Sequence, residues 1–144
     1  MDMKKEIIAE QFKKGFDCSQ VVLESYAEKL GITSEMANRI GAGFGGGMGK
    51  GETCGAVTGA MIALGMKYGH CQEEHMEQKE IMNEKRDEFL GEFLKKYPGC
   101  SCRKLLGYDI SIPEEMQKIL DEGLLFDFCP QVVADVIELL DAMI

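Results

Sequence analysis

The sequence predicts an all-α fold: a single domain, residues 1–144, built as a bundle of about seven helices with a glycine-rich loop before a central apolar helix. Apolar residues recur at helical spacing in most segments. No segment shows the strict alternation or β-branched richness of a strand. Capping residues and glycines punctuate the chain at helix-length intervals. At 144 residues and 45% hydrophobic content, one core is affordable without covalent staples.

The first helix is expected over about Lys4–Lys14, with Ile7, Ile8 and Phe12 among charged residues, stopping at Gly15. The second follows Asp17, which with Gln20 has capping-box spacing, and runs to Lys29 before Gly31. A third starts at Thr33 or Ser34 and carries Met36 and Ile40 toward the glycines. Eleven of the 17 glycines lie between Gly41 and Gly69, and Gly45–Gly51 is too glycine-rich for a helix interior, so it is expected as a loop. Thr53 is placed as the cap of a helix from Cys54 to about Lys67, whose Gly55, Gly59 and Ala63 form a stripe that lets neighbours pack close. A long charged helix follows from about Gln72 to Tyr97, with Met76, Met82, Phe89, Leu90, Phe93 and Leu94 as its buried stripe, ended by Pro98-Gly99. Ser101 caps a short turn over Cys102–Leu106; Ser111 and Pro113 open another helix that ends near Gly123. Cys129-Pro130 opens the last, through Val133, Val136, Ile137, Leu140 and Met143.

The formal charge of −9 argues against a nucleic-acid partner, since the summed field repels phosphate. The longest nearly apolar stretch, Gly55–Met66, falls short of the roughly 20 residues that cross a bilayer, so no membrane insertion is expected. The N-terminal segment is charged and amphipathic, unlike a secretory signal, so a cytoplasmic location is expected. That compartment keeps thiols reduced, so six cysteines there favour metal binding or redox chemistry over permanent disulfides.

Cys18, Cys54, Cys102 and Cys129 each fall at a predicted helix start. Unpaired N–H groups and a partial positive charge at such a position favour thiolate and lower the thiol pKa. These four are the candidate catalytic or metal-ligating residues. They stand 36, 48 and 27 residues apart, so no compact Cys-x-x-Cys motif exists and any site must assemble in three dimensions. Cys71 and Cys100 lie at less telling positions; His70, Cys71 and His75 form a weaker metal candidate at helical spacing. The glycine segment fails the phosphate-binding patterns, because Lys50 precedes Gly51 rather than Ser or Thr and no strand leads into it. Its other uses are as a cofactor cradle, with Gly45, Gly46, Gly47, Gly49, Gly51 and Gly55 offering backbone N–H groups, or as a tight interhelical turn.

Cys54-Gly55-Ala56-Val57-Thr58-Gly59, the preceding glycines, Cys18 in Asp-Cys-Ser-Gln, Cys102 in Cys-Arg-Lys-Leu-Leu-Gly and Cys129 in Cys-Pro together resemble the C_GCAxxG_C_C family of redox-active proteins over nearly the whole chain. The resemblance implies a redox role for those four cysteines. A related domain in split-Soret cytochromes accompanies haem and an iron–sulfur centre. Without a Cys-x-x-Cys-His motif here, only the cluster carries over. Some members have a further cysteine where this chain has Tyr108.

Three functions follow. The first is electron transfer through an iron–sulfur cluster held by the four cysteines and exchanged with an unidentified redox partner protein, dimerisation being left open. The second is metal-free thiol–disulfide cycling by two of them. The third is a structural zinc site or an interaction module whose acidic face (Glu73, Glu74, Glu77 and Glu80) docks a basic partner.

Overall fold

The computed structural model describes residues 2–144, with side chains from residue 4 onward. The described residues form eight α-helices: α1 (Asp2–Lys13), α2 (Cys18–Leu30), α3 (Ser34–Gly41), α4 (Gly55–Tyr68), α5 (Met76–Lys96), α6 (Cys102–Leu106), α7 (Pro113–Asp121) and α8 (Phe128–Asp141). The all-α class holds, with no strand among the described residues. None of the described helices is long and apolar enough to cross a membrane.

Several boundaries follow the caps read from the sequence. Thr33 Oγ1 accepts from Met36 N–H at 3.0 Å, and Ser101 Oγ accepts from Lys104 N–H at 3.0 Å. Gln20 Oε1 accepts from Asp17 N–H at 2.8 Å, the return half of the capping box. Gly31 closes α2 at φ 77°, a left-handed position that suits glycine.

The small-residue stripe of α4 decides the centre of the bundle. A Cβ on Gly59 would lie 3.1 Å from Ser19 O and 3.2 Å from Val22 Cβ, so α2 crosses α4 at backbone distance. Around that crossing Val22, Leu23, Ala60, Ala63, Leu64, Val133, Val136 and Leu140 are fully or almost fully buried. The closeness also brings Ser19 Oγ to Gly41 O at 2.6 Å, which ties α3 onto the same pair. Tyr26 pins α8 to α2 by donating to Ile137 O at 2.7 Å and to Asp141 at 2.6 Å.

Three expectations are corrected. Helix α5 begins at Met76 rather than near Gln72, and it buries a narrower stripe: Phe89 and Phe93 are enclosed, whereas Met76 and Leu94 stand 65% and 50% exposed. A helix lying on the surface of α4 and α8 needs only one line of anchors. Thr53 does not cap α4, because it is drawn into an isolated antiparallel bridge with Ser101, and Cys54 itself is the cap residue. Pro130 occupies the third position of α8, since Phe128 begins that helix and Cys129 sits within its first turn.

The glycine segment is more ordered than a loop. Gly47–Gly51 forms a wide turn closed by Glu52 N–H donating to Gly47 O at 3.1 Å. Gly46, Gly47, Gly49 and Gly51 all have φ between 62° and 71°, with Met48 alone among them carrying a Cβ at φ 58°. A left-handed run of this kind costs side-chain-bearing residues roughly 1–2 kcal/mol each, which explains the glycine density.

Candidate functional site

The four cysteines separated by tens of residues in sequence meet at one chamber. Cys18 heads α2, Cys54 caps α4, Cys102 heads α6 and Cys129 lies in the first turn of α8. All four line a cavity of about 190 Å³ whose remaining walls are largely apolar, among them Phe12, Phe16, Leu106, Ile110, Phe128 and Val133.

Two local devices hold the sulfurs in place. Around the Thr53–Ser101 bridge, Cys54 N–H donates to Cys100 O at 2.7 Å and Cys102 N–H donates to Glu52 O at 2.6 Å. This reciprocal pair fixes the starts of α4 and α6 side by side, one residue beyond the bridge on each segment. Arg103 reinforces it from outside, 3.6 Å from Glu52 and 3.9 Å from Asp109. The second device is Gly55. A Cβ there would fall 2.4 Å from Cys18 Sγ and 2.9 Å from Phe44 O, so the Cys18 thiol rests directly on the start of α4 beside Cys54. Gly46 lines the chamber alongside Cys18, Cys54 and Gly55.

At Cys18, Cys102 and Cys129 the thiol pKa is raised rather than lowered, contrary to the sequence expectation. The hydrogen bond to Cys54, then burial, then the neighbouring Cys54 charge push Cys18 well above the ordinary 9.0. Burial raises Cys102 to about 11, with the charges of Cys18 and Asp109 adding to it. Burial, with Cys18 and Cys102 beside it, raises Cys129 to about 12. A helix terminus contributes at most about 2 kcal/mol, whereas burying an ion costs several. In addition, the N–H groups of Cys54, Cys102 and Cys129 are already spent on Cys100 O, Glu52 O and Leu124 O.

Unfolded thiols ionise near 9.0, while folded Cys102 and Cys129 hold their protons to about 11 and 12. Between those values the unfolded chain binds fewer protons than the folded one, so stability is complete below pH 9 and falls as pH rises through the window. The urea midpoint of reduced, metal-free protein is therefore expected to drop across it, and the Cys102→Ser/Cys129→Ser double variant to flatten the drop. Identical slopes for the two proteins would contradict this origin.

Of the candidate glycines, Gly46 and Gly55 line the chamber, while the other four do not. Gly45 packs on the Asp17 side chain, Gly47 on the Glu52 backbone and Gly51 on Arg103; Gly49 meets nothing. Cys71, His70 and His75 are exposed and away from the chamber walls. Cys100 contributes its carbonyl to Cys54 and packs against the main core.

This convergence of thiols agrees with one comparison. The model of the family described as "Putative redox-active protein (C_GCAxxG_C_C)" matches residues 16–143. The chain belongs to the C_GCAxxG_C_C family. No curated protein and no solved structure matches it. The family's first cysteine, Cys18, is supported by Gly55 of its CGAxxG motif, which gives the motif's first glycine a geometric purpose. What sequence reasoning missed in this C_GCAxxG_C_C protein is the Thr53–Ser101 bridge and the apolar walls that α1 and the α7–α8 connection bring to the chamber. Both depend on contacts between segments far apart in the chain, although the shared position of Thr53 and Ser101, each one residue before a cysteine, was a usable signal.

Proposed function

We propose that this C_GCAxxG_C_C protein is an electron carrier in which Cys18, Cys54, Cys102 and Cys129 hold an iron–sulfur cluster. The observation that carries the reading is that all four cysteines line one largely apolar chamber. The donor set suits the group, because thiolate sulfurs are the usual ligands of such clusters and a dry shell helps set their potential. A single zinc ion is less well served. Tetrahedral Zn–S bonds of about 2.3 Å need the sulfurs mutually close, and among the described residues no three His, Cys, Asp or Glu side chains are gathered as a single-ion site.

A bound cluster supplies one-electron transfer. The chain's own residues do the rest. Phe12, Phe16 and Phe128 exclude water, Gly55 seats the Cys18 sulfur, and the Thr53–Ser101 bridge holds Cys54 and Cys102 at fixed separation. Cys18, Cys102 and Cys129 hold their protons when no metal is bound, so ligation through their thiolates would release protons.

Anaerobic reconstitution with ferrous iron and sulfide is expected to give a brown protein containing both, with visible absorption that bleaches on reduction. Serine at any of the four cysteines is expected to lower the loading sharply, while Cys71→Ser leaves it intact. A colourless product without iron or acid-labile sulfide would defeat the proposal.

A further inference from the structure

The four thiols are not equivalent. Cys18 Sγ rests on Gly55, the residue next to Cys54, and nothing comparable seats Cys102 or Cys129 against another cysteine's helix start; Cys18, Cys54 and Cys129 are partly buried and Cys102 is buried. We propose that the cluster-free protein has a second activity as a dithiol that reduces low-molecular-weight disulfides, with Cys18 and Cys54 as the reacting pair.

In this reaction one thiol of the pair, as its thiolate, attacks a sulfur of the disulfide RSSR. A mixed disulfide forms and the first RS⁻ leaves. The other thiol then attacks the protein sulfur of that mixed disulfide, the Cys18–Cys54 bond forms, and the second RS⁻ leaves. Two protein thiols are oxidised, one small disulfide is reduced to two thiols, and the two protons shed by the cysteines go to the departing thiolates. Closeness is what favours this pair, because the second step competes with release only when the resolving thiol is already alongside.

The pairing does not depend on the cluster. Its consequence rests on the cluster reading: sulfurs joined to each other cannot also ligate iron, so the oxidised pair would bar loading until it is reduced.

The test uses the full chain, stripped of metal by a chelator and reduced, then exposed to oxidised glutathione and quenched by alkylation. Mass mapping is expected to find a peptide linked through Cys18 and Cys54, with the alkylatable thiols of the denatured chain falling from six to four. Reduced glutathione should appear at two equivalents per chain. Gly55→Ala, which puts a methyl group where the Cys18 sulfur lies, should reduce the linked peptide severalfold. A bridge between any other two cysteines, or uptake of glutathione by exposed Cys71 with Cys18 and Cys54 still reduced, would overturn the assignment. A separate iron and sulfide assay on the reduced chain reports on the cluster reading. Loading without the bridge sinks only the dithiol activity, and a bridge without loading sinks only the cluster.

Discussion

Gly55→Ala is expected to cripple cluster loading while leaving the helical fold in place. A methyl group at residue 55 would sit 2.4 Å from Cys18 Sγ, 2.9 Å from Phe44 O and 3.3 Å from Ser19 N, so neither the sulfur nor the backbone around it can stay where it is. Forcing an extra carbon into a filled site typically costs about 1–3 kcal/mol. Helix α4 itself gains from alanine, since glycine is worse by about 1 kcal/mol inside a helix. The net loss of stability should therefore be small beside the functional loss, which comes from moving one of four ligands. Gly65→Ala in the same helix is the control. Nothing lies within 4 Å of a Cβ there, so it should be neutral or stabilising and should load normally. Circular dichroism and iron content on the two variants check the prediction. Equal loading by Gly55→Ala and Gly65→Ala would show that the Cys18 seat does not matter.

Phe93→Ala should have the largest effect on stability. Phe93 is fully buried on α5, its ring stacked on Tyr97 at 4.9 Å and on Phe89 at 6.2 Å. Removing a buried phenylalanine costs about 3–5 kcal/mol through lost transfer energy and an unfilled cavity, a large share of the roughly 5–15 kcal/mol that a domain has to spare. The loss also reaches the site. Tyr97 packs edge-on against Phe128, a wall of the chamber, at 6.3 Å, and its hydroxyl donates to buried Asp135. Without Phe93 behind it, Tyr97 loses its stacking support, so cluster retention should weaken along with the melting temperature. Leu94→Ala, the neighbouring residue on the half-exposed side of the same helix, should change either quantity far less. Similar melting temperatures for the two variants would contradict the narrow stripe assigned to α5.

These two residues also mark how much was legible beforehand. Phe93 was readable as core from its helical spacing with Phe89. The same spacing also drew in Met76 and Leu94, which the structure leaves exposed, because periodicity identifies a face but not how far along it a neighbour extends. Gly55 was readable as part of a small-residue stripe and as a candidate cofactor contact. That its missing side chain makes room for a cysteine from another helix was not, since the partner lies 37 residues away and nothing local encodes it.

The same division runs through the site as a whole. By itself the sequence determined the all-α class and most helix starts, because caps, glycines and apolar spacing act within a few residues of one another, and it singled out four of the six cysteines as candidates. It also placed those cysteines at helix starts correctly. Only the tertiary structure decided that the four starts meet at one chamber, that Thr53 pairs with Ser101 instead of capping α4, and that Cys102 and Cys129 hold their protons more tightly than helix starts alone would have them do. The physical reason is that a helix-terminus field is a local property, whereas desolvation and the repulsion of neighbouring sulfurs exist only once distant segments are packed together.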